Sequence, residues 1–154
     1  MGYVGLCVAV GFASKGYQVF AFEKDLEKAS LINKGTPPFQ EPGLSETLQN
    51  VVNKGNLKCT VELEEAVLNT DLTFITVGTP IKADGGINLR FVRNAAHEIG
   101  KALEKKSRYH LVVVKSTVTP GTAEKVVKPA IEESSNKRCG IDFGLCVNPE
   151  FLRE

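Results

Sequence analysis

The sequence has no apolar run approaching the roughly 20 residues that would cross a bilayer, and its 154 residues carry a formal net charge of only +1. The first absence argues against a membrane-spanning protein. The second leaves no global field to recruit nucleic acid or an anionic lipid surface. The four cysteines, Cys7, Cys59, Cys139 and Cys146, show no CxxC spacing, and His97 and His110 are the only histidines, so no zinc set can be read. Three of the cysteines lie in or beside apolar runs, where a buried free thiol in a reducing cytoplasm is the expectation. The glycine-rich start lacks the charged region and cleavage site of a secretory leader. Hydrophobic residues at 42% and charged residues at 24% are ordinary for a globular protein. The length suits one domain with a real core.

Apolar strands and amphipathic helices alternate along the chain. Residues 3–15 (YVGLCVAVGFASK) read as a helix with a small-residue stripe at Gly5, Ala9 and Ala13 and a terminator at Gly16. A strand is expected over 18–23 (QVFAFE). A helix capped by Asp25 and ended by Gly35 follows, then a proline-rich loop over 36–43 and a helix from Leu44. LKCT (57–60) reads as a strand and 61–69 as a short helix. Strands are expected at 72–77, 109–117 and 144–149, with helices at 89–106 and from Pro120 onward, the last kinked or ended near Pro129. Thr122 fits the N-cap of that last helix. The order predicts an α/β domain: a Rossmann-like, doubly wound parallel sheet covered on both faces.

Gly2 and Gly5 have the spacing of the second and third glycines of the G-x-G-x-x-G dinucleotide fingerprint. The second of these lets a pyrophosphate approach the backbone; the third lets the helix pack closely. A diphosphate is favoured at that helix start by free N–H groups and the helix dipole. Glu23 closes the next strand about 20 residues on, where an acid binds the ribose hydroxyls and repels a 2′-phosphate, favouring NAD over NADP. Lys24 and Lys28 nearby soften that preference.

In open parallel sheets ligands sit beyond the carboxyl ends of the strands. Three such ends carry unusual residues: Val77-Gly78-Thr79-Pro80, Lys115-Ser116-Thr117, and Asn148-Pro149-Glu150-Phe151-Leu152-Arg153-Glu154. A lysine and hydroxyls closing the most hydrophobic strand are costly unless they face a polar crevice. Glu150 and Glu154 would share a face if their segment is helical, and a carboxylate there suits a general base.

GYVGL, NKGTPPFQEPGL, TVGTP, KSTVTPGT and NPEFLRE occur in one order along the whole chain. Together they resemble the NAD-binding domain of the UDP-glucose/GDP-mannose dehydrogenase family. The resemblance implies oxidation of the C6 alcohol of a nucleotide sugar to a carboxylate, with NAD⁺ reduced twice per sugar. It places Gly2, Tyr3, Val4 and Gly5 against the pyrophosphate. Glu23 falls at the adenosine ribose, with Lys28 where an arginine is often found. Val77, Gly78, Thr79 and Ser116 line the cofactor cleft, and Glu154 approaches the nicotinamide end. Thr117 and Glu150 become the pair that positions a catalytic water, Glu150 being the acid/base. Glu150, Phe151, Leu152, Arg153 and Glu154 reach the substrate.

Departures from the family pattern matter too. The strand and first glycine that precede Gly2 in the family are absent. So are the nucleophilic cysteine of a later domain, to which none of the four cysteines corresponds, and the helical dimerisation region. The chain is therefore expected to be a fragment whose sheet lacks its first central strand, inactive alone, from a homodimeric cytoplasmic parent that supplies polysaccharide synthesis. UDP-glucose is the favoured substrate. GDP-mannose or a UDP-N-acetylhexosamine is the alternative, and a non-catalytic nucleotide-binding module is the reading of another class.

Overall fold

The computed structural model describes residues 1–83 and 85–151. Within them the chain forms α1 (Tyr3–Ser14), β1 (Val19–Phe22), α2 (Leu26–Asn33), α3 (Leu44–Asn53), β2 (Leu57–Thr60), α4 (Leu63–Leu68), β3 (Leu72–Ile75), α5 (Arg90–Glu104), β4 (His110–Val114), a π-helical turn (Ala123–Val127), α6 (Lys128–Ser135) and β5 (Phe143–Val147). The predicted alternation of helix and strand holds throughout. Among the described residues the named strands pair in parallel, as a two-stranded sheet β1-β2 and a three-stranded sheet β3-β4-β5. By packing, the chain groups into two compact units, Met1–Asn69 and Thr70–Glu154.

In the first unit α1 buries Gly5, Leu6, Ala9, Val10 and Ala13, so the predicted small-residue stripe is the packed face. Gly16 takes φ +91° just after the helix, and its N–H donates to the Ala13 carbonyl at 3.0 Å. That left-handed conformation is cheap for glycine and ends the helix as expected. The Asp25 side chain caps α2 by accepting from the Glu27 and Lys28 amides at 2.9 and 3.1 Å. Ile32 of α2 and Leu48 and Val51 of α3 close the core over Ala21, Leu57 and Cys59. Asn33, the last residue of α2, donates from Nδ2 to the Cys59 carbonyl and accepts the Cys59 N–H, both at 2.8 Å.

The second unit stacks α5 and α6 beside β3-β4-β5. Its core holds Ile75, Val92, Ala96, Ile99, Leu103, Val112, Val114, Val127, Ile131 and Phe143. Gly100 lies where α5 meets α6: a Cβ built there stands 1.9 Å from Ser134 Oγ and 2.9 Å from the Ile131 carbonyl oxygen.

Several boundaries differ from the sequence reading. Strands β1, β3 and β4 stop short of their expected ends; after β3, the Val77 carbonyl accepts from the Ser116 hydroxyl instead of continuing the ladder. The helix after Pro120 starts as a π-helical turn, and α6 carries Pro129 near its N-terminus. A proline lacks the N–H that a regular turn would use, and one wide turn absorbs the mismatch without breaking the helix. Thr122 stands at the N-cap but makes no side-chain cap; its Oγ1 lies 3.1 Å from Thr119 Oγ1 instead. Cys59 is buried, Cys7 and Cys139 are half-buried, and Cys146 is exposed, against the expectation of a buried thiol there. The burial of β5 fades toward its carboxyl end, where Cys146 lies.

His110 is fully buried at the start of β4. Its Nδ1 lies 3.1 Å from the Thr70 carbonyl oxygen, which fixes the proton on Nδ1, and its Nε2 lies 2.8 Å from Thr73 Oγ1. Burial, followed by the nearby Lys106 ammonium, pushes its pKa down to about 4 against the opposing pull of the Thr70 bond and Asp71. The unfolded chain takes up a proton near its ordinary value of about 6.5, before the folded chain does. The stability that neutral His110 contributes is therefore complete above that value and is lost as the pH falls toward 4. Thermal melts at about pH 7 and pH 5 check this: the midpoint should fall while ordinary carboxylates remain largely ionised. An unchanged midpoint would refute it.

Candidate functional site

In the first unit, Gly2 is the N-cap residue of α1, with φ −86° and ψ −171°, and its carbonyl accepts the Leu6 N–H at 3.0 Å. Tyr3 and Val4 form the first turn. The Tyr3 hydroxyl donates to Glu41 Oε2 at 2.6 Å and its ring packs on Phe39 at 5.1 Å between centroids, so the proline-rich loop is tied to this helix start.

Glu23 follows β1 directly. Its Oε2 pairs with the Met1 ammonium and, at 3.2 Å, with Lys28 Nζ, while Oε1 accepts the Asp25 N–H at 3.2 Å. Burial alone would raise the pKa of this carboxyl, but the ammonium, the Asp25 amide and Lys28 together hold it down to about 2. Glu23 and Lys28 are thus brought together as the sequence predicted.

In the second unit, Ser116 is buried and its Oγ donates to the Val77 carbonyl at 2.6 Å, with the Ile75 carbonyl at 3.2 Å. The Lys115 and Ser116 amides both donate to the Ile75 carbonyl, at 2.9 and 3.0 Å. The end of β3 and the Val77-Gly78-Thr79 turn are therefore pinned by residues that leave β4. Pairing of Val114 with Val147 sets Lys115 beside Asn148 in the register of β4 and β5.

Lys115 Nζ lies 3.1 Å from Asn148 Oδ1 and 3.2 Å from Glu150 Oε2. Glu150 donates its own N–H to the Lys115 carbonyl at 3.1 Å, and its Oε1 accepts the Phe151 N–H at 2.8 Å. Thr117 Oγ1 donates to the Glu150 main-chain carbonyl rather than to its carboxylate. Residues 150 and 151 are not helical. Leu152, Arg153 and Glu154, predicted to reach substrate or cofactor, lie outside the described residues, and so does the shared helical face of Glu150 and Glu154. Sequence reasoning did not single out Asn148, nor Lys115 as the partner of Glu150. The only signal was the cost of a lysine at the end of a hydrophobic strand.

Two glycines test whether a dinucleotide fits. Gly2 has a negative φ, and Gly78 is not among the positive-φ glycines. A Cβ built on either meets nothing within 4 Å. Neither the backbone nor the packing of the chain requires glycine at these points, whereas a phosphate or nicotinamide brought against the main chain does. Gly2 opens a helix N-terminus and Gly78 closes a strand, the two places where such contacts are made. The residues present fit the cofactor.

All 154 residues match the family model described as the UDP-glucose/GDP-mannose dehydrogenase family, NAD binding domain. The chain belongs to that family. Its cofactor is NAD, and its Rossmann-like fold is that of the family's NAD-binding domains. A curated GDP-mannose 6-dehydrogenase of Pseudomonas aeruginosa is 45% identical over 154 residues, all of this chain and 35% of the relative. A UDP-glucose 6-dehydrogenase of Haloferax volcanii is 41% identical over 153 residues, 99% of this chain and 35% of the relative. The crystal structure of a ternary complex of the P. aeruginosa GDP-mannose dehydrogenase superposes with a TM-score of 0.96 at 45% identity, over 99% of this chain and 35% of that one. A UDP-glucose dehydrogenase structure from Pyrobaculum islandicum gives 0.92, also at 45% identity, over 99% of this chain and 35% of that one. The chain thus spans about a third of the length of these relatives. Among the described residues no helix is long and apolar enough to cross a membrane, and no group of three or more His, Cys, Asp or Glu could hold a metal.

Proposed function

We propose that the chain supplies the cofactor site and the acid/base of an NAD-dependent nucleotide-sugar 6-dehydrogenase, with UDP-glucose as the expected substrate. The observation that carries this reading is the Lys115–Glu150–Thr117 constellation, which NAD binding alone does not need. A non-catalytic nucleotide-binding module would have no use for it.

In this reading Gly2, Tyr3, Val4 and Gly5 receive the pyrophosphate and Glu23 with Lys28 receives the adenosine ribose. Val77, Gly78, Thr79, Ser116 and Glu154 serve the rest of the cofactor, and residues 150–154 meet the sugar nucleotide. Bound NAD⁺ supplies the hydride acceptor. The Thr117 hydroxyl spends its proton on the Glu150 carbonyl, which leaves its oxygen free to accept. A water that donates to that oxygen and to the Glu150 carboxylate turns a lone pair outward, poised for attack. Glu150 then takes up the proton. The parent is proposed to be a cytoplasmic homodimer.

GDP-mannose is the second reading. It is favoured by the curated GDP-mannose dehydrogenases at 42–45% identity across the whole chain. One assay tests both: NADH formation by the complete dehydrogenase with UDP-glucose, GDP-mannose and a UDP-N-acetylhexosamine, repeated with NADP⁺. A clear preference for one of the first two with NAD⁺ is expected. NADH from none of the sugars, or a preference for NADP⁺, would sink the proposal.

A further inference from the structure

The catalytic reading leaves the half-buried cation of Lys115 unexplained. Lys115 follows β4, whose residues Val112, Val113 and Val114 are buried, and its own side chain is only 15% exposed. A half-buried lysine gives up part of its hydration, and an ion pair that water still reaches returns little stability for it. Stability therefore gives no reason for a lysine here. Its contacts give another. The main chain on either side is fixed, the Lys115 N–H to the Ile75 carbonyl and its carbonyl to the Glu150 N–H. From there the side chain reaches Asn148 Oδ1 and Glu150 Oε2.

We propose that Lys115 is the positioning residue of Glu150: it holds Oε2 so that the carboxylate keeps one rotamer and one face toward the substrate. This rests on the reading of Glu150 as the acid/base. Asn148 completes the device by accepting from the same ammonium. The Phe151 amide donates to Oε1, so both carboxylate oxygens are held by protein donors. The carboxylate needs no reorganisation when the water arrives, and the gain is in orientation rather than in binding. In this proposal Lys115 acts through Glu150 and not on the water or the sugar.

Lys115→Met and Lys115→Arg are compared in the complete dehydrogenase, each alone and with Glu150→Gln. Lys115→Met should lower kcat by about 10- to 100-fold, with the KM for the nucleotide sugar and the calorimetric Kd for NAD⁺ within about twofold. Lys115→Arg should recover most of the loss, since a guanidinium also reaches a carboxylate. With Glu150→Gln present, Lys115→Met should cost little more, because a residue acting only through Glu150 has nothing left to position. Losses that multiply in the double variant, or a Kd that rises along with the fall in kcat, would overturn the proposal.

Hydrogen exchange over residues 148–151 gives a readout that needs no turnover. Protection should fall in Lys115→Met and return in Lys115→Arg, and unchanged protection would also overturn the proposal. If the wild type reduces NAD⁺ with no nucleotide sugar, the catalytic reading fails by itself. Exchange then still decides whether Lys115 holds the Glu150 segment.

Discussion

Gly100→Ala is expected to destabilise the protein by about 2 kcal/mol and to lower its melting temperature by roughly 4–8 °C. Helix propensity pulls the other way, since alanine in a helix interior is favoured over glycine by up to about 1 kcal/mol. The contacts decide the sign. A methyl at position 100 would stand 1.9 Å from Ser134 Oγ, and a rotation of that side chain could relieve this contact. The Ile131 carbonyl oxygen at 2.9 Å and Cα at 3.1 Å are main chain and cannot rotate away. α5 and α6 would have to separate, opening the core around Ile99, Leu103 and Ile131. Gly11→Ala is the internal control: it too lies in a helix, but a Cβ there meets nothing within 4 Å outside that helix, so propensity should win and stability should rise slightly. Melting curves of the two variants against wild type settle the matter. A midpoint for Gly100→Ala at or above wild type would mean that the two helices can move apart at little cost.

Glu150→Gln should lower kcat of the complete dehydrogenase by about 10²–10⁴-fold, the range for loss of a positioned acid/base. The amide keeps the size of the side chain and can still accept a hydrogen bond, but it cannot take a proton from water. NAD⁺ affinity should change little, because the variant removes a proton acceptor and leaves the backbone near Gly2 and Gly78 as it was. The melting temperature should also hold within a few degrees: the pair with Lys115 lies at chain ends of β4 and β5 and is not wholly shielded from water. Steady-state kinetics with calorimetry on the same preparations separates these terms. A kcat within a few-fold of wild type would remove Glu150 from the chemistry and return it to a structural role.

The order of elements was legible because each helix and strand carries its own local signal, such as the Asp25 cap, Gly16 past α1 and the valine run of β4. Strand ends fall earlier than the apolar pattern indicates, most plainly at β3. Thr76 and Val77 look like strand, yet the Val77 carbonyl turns to accept from Ser116, 39 residues on. The partition into two parallel sheets was not legible, since an apolar strand does not name its neighbour. The same holds for the site. Glu150 and Thr117 could be picked out by residue type, but the contact between Lys115 and Glu150 depends on the β4–β5 register and on the path of the chain after Val147. The π-helical turn before Pro129 left no mark beyond the proline itself. At Glu23 the strand position announced an acid; the company of Met1 and Lys28 is a product of folding.

Asn33 has a consequence for the life of the protein in a crowded solution. In a parallel ladder the groups of alternate residues point to opposite sides. Asn56 and Thr60 bond to β1, so the N–H and C=O of Cys59 face away from it. Bare groups of that kind invite a strand from another molecule. The Asn33 side-chain amide, one donor and one acceptor in a peptide-like arrangement, takes both. A single residue of a helix thus covers the outward-facing groups of Cys59, one point on the sheet margin where a foreign strand would otherwise find partners.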